Sequence, residues 1–285
     1  MDFDNEAPGR RDAGSADLAE ASVEYVIDIT DAALETHRAQ LNIPTQRVAE
    51  PDPLELIPTL PATGTLAERI QHAPLTAAPS PLLAAVVRRT VDIVLSLFTL
   101  VVFSPLMAAL ALLIRLDSRG PAVFMQDRVA MGGGTFRFAK FRTMYVDARE
   151  RFPELYAYQY TSADIRSMKF KLPQDPRLTR VGRWLRRTSL DELPNLFNVL
   201  RGDMTLVGPR PEIPEMTDYY EPHQLTKFSV KPGLTGLAQT RGRNILTFQQ
   251  TLSADLEYVR TRSIVLDIRI LIRTAWTVAV QFGAL

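Results

Sequence analysis

Residues 91–114 form an apolar run, Val91 through Ile114, whose only charged member is Asp92. As one helix, 24 residues rise about 36 Å, enough to cross a hydrocarbon core. Pro105 sits mid-run, removes a helical hydrogen bond and predicts a kink. The halves on either side, 14 and 12 residues counting Leu116, reach only about 21 and 18 Å. Ser104 is placed to satisfy the backbone freed at the kink. Arg88 and Arg89 precede the run, and Arg115 and Arg119 follow it. The positive-inside rule therefore gives no direction and is compatible with both ends being cytoplasmic. Arg88 and Asp92, four residues apart, can pair near the interface and lower the cost of the acid. A bent helix that enters and leaves one leaflet satisfies all of this. A kinked spanning helix and a buried helix of a soluble protein are the competing readings.

Charge divides the rest of the chain. Residues 1–80 carry 14 acids and 5 bases, and residues 81–285 carry 18 acids and 28 bases. An acidic tail on a basic body suggests that the body meets polyanions. The tail is rich in Asp, Glu, Ala, Pro and Thr and is expected to be largely disordered, with transient helix at Ala21 to Arg38, strand at Val23 to Ile29, and linkers at 51–58 and 74–81. The acidic N-terminus lacks an early apolar run, so no signal peptide is expected. The chain has no cysteine, and of its three histidines only His223 lies in the body. Thiolate chemistry is excluded, while His-based zinc sites and Ser-His triads are disfavoured. A metal would be held by carboxylate oxygens, which favours Mg²⁺ or Mn²⁺.

A β-hairpin is predicted from 122–129 and 135–142, with Gly132, Gly133 and Gly134 at the turn and Phe136 and Phe138 alternating with Arg137 and Ala139. No Gly-Lys-Ser/Thr follows, so the glycines are not a P-loop. Lys140 and Arg142 on this strand are candidate phosphate ligands, though by themselves they read as a solvated face. Residues 145–170 look helical in part. Residues 178–187 read as a short helix, and Leu193, Leu196, Phe197 and Leu200 mark the apolar face of the next, which Gly202 stops. Leu266 to Val280, broken by Arg269 and Arg273, fits a helix at a membrane interface or a core helix with two exposed arginines.

The chemistry centres on Arg177 to Pro194, where five arginines lie beside the adjacent carboxylates Asp191 and Glu192. Ser189-Leu-Asp-Glu192 is a capping-box pattern, which accounts for the acids structurally. The same placement suits a carboxylate nucleophile kept ionised by arginines, with Arg186 and Arg187 holding a diphosphate. Downstream, Pro209-Arg210-Pro211 presents a guanidinium from a stiff backbone, either to a phosphate or base or simply to solvent. Lys231-Pro-Gly233 is a turn, and Arg241 and Arg243 add charge.

Lys140-Phe-Arg-Thr-Met144, Arg186 through Pro194, Gly202-Asp-Met204, Gly208-Pro-Arg-Pro211 and Lys231-Pro-Gly-Leu-Thr-Gly236 follow in order. Together they resemble the bacterial sugar transferases that are monotopic polyprenyl-phosphate phosphoglycosyl transferases, over about Val86 to Leu285. The resemblance implies transfer of a sugar-1-phosphate from a UDP-sugar to undecaprenyl phosphate, with release of UMP, at the start of exopolysaccharide or other surface-glycan synthesis. Asp191 would be the nucleophile that carries the phosphosugar, and Glu192 would bind Mg²⁺. Pro209, Arg210 and Pro211 would contact the nucleotide, and Ser104-Pro105 would break a re-entrant helix. Ala130 and the three adjacent glycines depart from the pattern, in which a glycine commonly follows the first strand. The expected architecture is α/β, mostly α with a small β-hairpin. It comprises an acidic tail (1–80), a re-entrant membrane helix region (81–119) and a catalytic domain (120–285) carried on interfacial amphipathic helices. That domain would face the cytoplasm at the bacterial inner membrane. Membrane lipid is an implied partner and nucleic acid is not, while a homo-oligomer or polysaccharide-assembly proteins are further partners the resemblance allows. A membrane glycosyltransferase releasing UDP and a non-catalytic basic scaffold are the rival functions.

Overall fold

The apolar run lies within one helix. The computed structural model describes residues 64–73, 81–156, 168, 174–242 and 246–283 (backbone alone from 281), all belonging to one unit. The expected tail patches at 21–38 and 23–29, the linker at 51–58 and Arg243 lie outside the described residues. Helix α1 (Leu66–Gln71) is followed by α2 (Leu82–Asp117), 36 residues that pass through Pro105. Proline at 105 removes the donor that would have met the Val101 carbonyl, and Ser104 Oγ donates to that carbonyl at 2.8 Å. The buried residues of α2 are Asp92, Ser96 and Leu100 before the proline and Leu110 and Ile114 after it. Their spacing of mostly four residues keeps them on one face. Leu82, Phe98, Val101, Leu112 and Leu116 are among the large apolar side chains left exposed on this helix.

Strands β1 (Val123–Val129) and β2 (Thr135–Phe141) form the expected antiparallel hairpin, with Val129 opposite Thr135 and Val123 opposite Phe141. Phe136 and Phe138 are buried and Arg137 is exposed, as the alternation requires. Residues 148–156 give the short helix α3 (Ala148–Arg151) and a 3₁₀ turn, Pro153–Tyr156. Then come α4 (Arg180–Thr188), α5 (Asn195–Arg201), β3 (Thr205–Val207), β4 (Gly233–Thr235), α6 (Leu237–Gly242), α7 (Phe248–Thr261) and α8 (Ile264–Gly283). β3 and β4 pair in parallel, Thr205 with Gly233 and Val207 with Thr235. This second sheet carries no sequence signal, because three-residue strands are too short to show a period.

Three expectations need correcting. Arg88 does not pair with Asp92. It meets Asp267 of α8 at 2.7 Å, while Asp92 accepts from Leu206 N (2.8 Å) and Thr205 Oγ1 (3.1 Å). The start of α2 is thus tied to β3 and α8 rather than to itself. Arg89 donates to the Val199 and Leu200 carbonyls, both at 2.6 Å, and so caps the end of α5. Second, the inward face of α5 is Leu196 and Val199, whereas Phe197 is more than half exposed. Asn198 turns inward and bonds β2 through Ala139 N (3.1 Å) and the Arg137 carbonyl (2.8 Å), which sets the rotation of this short helix. Third, part of the expected tail is built into the body: α1 packs on the core beside Val129 and Phe228.

α8 buries Asp267 and Ile270 and leaves Val265, Ile268, Ile272, Trp276 and Val280 exposed, an apolar stripe at helical spacing. Among the described residues, α2 alone is long and apolar enough to cross a membrane.

Candidate active site

The carboxylate pair sits in a 3₁₀ turn, Leu190–Glu192, between α4 and α5. Ser189 ends α4 in the left-handed region (φ 66°) and turns the chain sharply. Its hydroxyl makes no capping bond, so the capping box suggested by the sequence does not form. Leu190 holds the turn by packing with Leu185, Phe141, Leu110 and Ile114, so the long apolar helix α2 supplies part of the floor beneath the turn. Asp191 is buried and Glu192 half-buried.

Cations surround the pair. α4 begins with Thr179 Oγ1 accepting from Gly182 N (2.9 Å), and Gly182 lies so close to Thr143 that a Cβ would overlap its carbonyl. This contact brings Arg186 onto Thr143 Oγ1 (3.2 Å) and Asp175 (3.3 Å). Asp175 also takes a two-pronged bond from Arg177, at 2.8 and 2.9 Å. Burial raises the Asp175 carboxyl, but the Arg177 bonds outweigh it and hold the group below the usual range. Lys140 reaches in from β2. Burial and the guanidinium groups of Arg128 and Arg186 push its ammonium down to about 7, against the opposing pull of Asp191 and Glu192.

The Pro209-Arg210-Pro211 segment is braced on both sides. Arg128 donates to the Pro211 carbonyl (3.1 Å), and Arg210 N donates to the Asp255 carboxylate (3.3 Å). Asp255 is fully buried and meets Lys227 at 3.1 Å. Lys227 also contacts Glu212 (3.4 Å) and the Tyr220 hydroxyl (3.0 Å), which in turn donates to Glu212 (2.9 Å). Burial raises the Asp255 carboxyl, with Lys227 opposing it.

Lys140, Arg142, Arg186, Asp191, Glu192, Arg210 and Pro211 line one cavity of about 970 Å³, within the size range of small-molecule sites. Arg187 is exposed on α4 outside its lining, and Pro209 is buried beside β4, its carbonyl accepting from Gly233 N (2.8 Å). Arg142, grouped with Lys140 in the sequence, spends its donors on the Ser118 and Pro121 carbonyls and on Ser118 Oγ, all at 2.7–2.8 Å, at the end of α2. Of the membrane-helix residues, Ser104 and Pro105 stay within the helix, while Arg88 and Asp92 anchor it. Sequence reasoning missed Arg128, Asp175, Asn195 and the buried Lys227–Asp255 pair. Only the Asp175-Pro-Arg177 spacing carries a local signal, that of a turn.

Asn195 lines the cavity three residues past Glu192, wholly buried, and neither its amide oxygen nor its nitrogen has a partner. No group of three or more His, Cys, Asp or Glu suited to a metal exists among the described residues. Mg²⁺ needs only one or two carboxylates when substrate phosphates and water complete its shell. Asp191, Glu192 and the orphaned Asn195 oxygen therefore fit that ion.

A cationic cavity with two carboxylates, mounted on a long exposed apolar helix, defines a membrane-associated enzyme for an anionic substrate. The comparisons narrow the class. The family model described as bacterial sugar transferase matches residues 83–281. The chain is 41% identical over 205 residues to the UDP-glucose:undecaprenyl-phosphate glucose-1-phosphate transferase of Caulobacter vibrioides, covering 69% of this chain and 71% of that one. It is 42% identical over 197 residues to the undecaprenyl-phosphate galactose phosphotransferase of Salmonella typhimurium, covering 69% of this chain but only 41% of the relative. Against the exopolysaccharide production protein ExoY of Rhizobium meliloti, the identity is 33% over 197 residues, 69% of this chain and 87% of that one. The chain belongs to the bacterial sugar transferase family, and it is a phosphotransferase of the polyprenyl-phosphate phosphoglycosyl type that its motifs resemble.

Proposed function

We propose that this cavity moves a sugar-1-phosphate from a UDP-sugar to undecaprenyl phosphate, releasing UMP, through a phosphosugar carried on Asp191. The observation that carries the reading is the buried Asp191 beside Arg186 and Lys140 in one cavity with Arg210. An Asp191 carboxylate oxygen attacks the sugar-bearing phosphorus. A bond forms to Asp191, the bond to the bridging diphosphate oxygen breaks, and UMP departs with the electron pair. Arg186, held by Asp175 and Thr143, and Lys140 meet the charge on the leaving phosphate. Arg210 contacts the nucleotide. An oxygen of undecaprenyl phosphate then attacks the same phosphorus, the acyl-phosphate bond breaks, and Asp191 returns as carboxylate. Mg²⁺ held by Glu192, with Asn195 as a further oxygen donor, would offset the negative charge of the diphosphate.

The membrane geometry follows from α2. Its face on both sides of Pro105 packs on the same body, which supports a helix that returns to the leaflet it entered. The exposed stripe of α8 lies at the interface, and the catalytic body faces the cytoplasm of the bacterial inner membrane. The product is the first lipid-linked unit of a surface polysaccharide.

Nucleotide release tests the reading. Protein in detergent receives undecaprenyl phosphate, Mg²⁺ and a panel of UDP-sugars. UMP is expected with a cognate donor, and Asp191→Asn is expected to lower turnover by about a thousandfold or more. Release of UDP would indicate a glycosyltransferase. An Asp191→Asn protein as active as the parent would remove Asp191 as nucleophile, and silence across the panel with membrane binding intact would favour a scaffold.

A further inference from the structure

The family match begins at residue 83, yet a helix ahead of it is built into the catalytic body. α1 is closed by a capping box: Thr65 Oγ1 accepts from Glu68 N (3.3 Å), and the Glu68 carboxylate accepts from Thr65 N (2.7 Å). Ile70 and Ala73, each 6% exposed, join a core with Val129, Met216, Tyr220, Leu225 and Phe228. Arg69 grips the adjoining segment. Its Nη2 donates to the Thr217 (3.3 Å) and Tyr220 (3.4 Å) carbonyls, and its Nη1 meets Asp218 (3.3 Å).

The β1–β2 turn is shaped to receive this helix. Gly133 has φ +89°, and a Cβ there would stand 2.9 Å from Ile70 Cδ1 and 3.0 Å from Ala67 N and Cα. A side chain at 133 therefore displaces α1 or distorts the turn. Of the three adjacent glycines, Gly133 has its cause on the α1 side, whereas a Cβ at Gly132 or Gly134 would meet nothing within 4 Å.

The contacts continue from α1 to the cavity. Pro211 through Met216 form one cavity wall, and Arg69 holds the far end of the same segment. The Tyr220 ring packs against Phe228 and Phe248, and its hydroxyl bonds Glu212. Glu212 shares Lys227 with Asp255, which accepts from Arg210 N. Each link is a packed or hydrogen-bonded neighbour, the kind of path along which a displacement travels.

We propose that residues 65–73 are an intramolecular strap. By docking on the surface made by Val129, Gly133 and the 213–229 segment, they hold the cavity wall and the Arg210 backbone in the donor-binding geometry. Arg69 and Ile70 are positioning residues contributed from outside the family domain. The occupant of this surface is the chain itself. Residues 74–80 join the strap to α2 and span at most about 25 Å, so the strap is always present at high local concentration. The proposal rests on the cavity being the donor site.

The test uses the full chain with Arg69→Ala, which removes the grip from the helix side, and Gly133→Leu, which displaces the helix from the body side. Amide hydrogen exchange is followed over residues 211–220, with α5, which lies in a separate core, as internal reference. UMP release is measured against donor and undecaprenyl phosphate separately. Both variants should speed exchange at 211–220 and raise the donor KM by about tenfold, with kcat and the acceptor KM within twofold. The double variant should be no worse than the weaker-binding single, because both release the same contact. Unchanged exchange overturns the strap. Faster exchange with an unchanged donor KM overturns its positioning role, as does an equal fall in kcat for every substrate, the mark of general unfolding. If the parent releases no UMP from any donor, the proposed reaction fails, and exchange alone decides whether the strap holds the wall.

Discussion

Asn195 has four hydrogen-bonding sites on its amide and uses none of them, although it is wholly buried. An orphaned buried amide costs about 1–3 kcal/mol, so it survives where a ligand completes it. Asn195→Leu keeps the volume and removes the unpaired atoms. It should raise stability by about 1–2 kcal/mol in thermal unfolding while lowering turnover at least about tenfold. A variant that is both less stable and fully active would mean that the amide serves packing alone. Lys140 gives a second residue-scale prediction. Its ammonium is lowered to about 7 in the folded protein, against about 10.4 in an unfolded chain. Between these values the unfolded chain binds more protons, so this group's contribution to stability rises with pH from about 7 to about 10. Below pH 7 both states carry the charge and the contribution is constant. An incoming diphosphate restores a higher pKa, so donor binding at pH 8 should take up a proton. Calorimetry in two buffers of different ionisation enthalpy measures that uptake, and Lys140→Arg, always charged, should bind without it.

Arg142 shows how an element's role departs from its sequence appearance. On a predicted strand two residues from Lys140, it reads as a partner for phosphate. In the structure Arg142 is buried as a residue, and its guanidinium closes the C-terminal end of α2 through backbone carbonyls, which a planar fork with several donors is suited to do. Arg142→Lys keeps the charge but not the fork, and should destabilise the protein by about 2–3 kcal/mol, read by thermal unfolding in detergent, with donor KM little changed. The hairpin, the helix at 180–188, its successor and the Gly202 stop were legible because period, turn glycines and caps are local signals. The dyad was legible from its setting among arginines, but its turn was not: the Ser189-x-x-Glu192 pattern promises a cap, and the left-handed Ser189 cancels it. Asp255 and Lys227 were invisible because they are far from Arg210 in sequence, and only the tertiary fold brings them to its backbone.

For the whole molecule, the question is how α2 meets the bilayer. The helix presents apolar side chains outward along its length, yet residues from Arg89 to Ile114 contact the body. A helix crossing the full hydrocarbon core would draw that body into lipid, together with the Asp92 bonds to β3. The re-entrant path proposed above, with both ends on one side, avoids this. The chain has no cysteine, so single cysteines report without background. Ser80→Cys and Arg119→Cys should both react with impermeant reagent from the cytoplasmic side of oriented vesicles, and labelling from opposite sides would establish a span instead. The exposed Arg119 is preferred to its neighbour Gly120, whose φ of +116° leaves no room for a side chain beside Val146.

Leu100, Leu110 and Ile114 close cores that also contain Leu196, Phe141 and Leu185. The apolar helix is therefore part of the packed core under the dyad turn, not a mooring line attached to it. Cutting the chain at residue 118 to obtain a water-soluble enzyme would expose those cores and unseat Leu190 beneath the dyad. Chimeras between relatives should be spliced ahead of residue 64, so that α1 stays with the body, and solubilising efforts should coat the outer face of α2 rather than remove it.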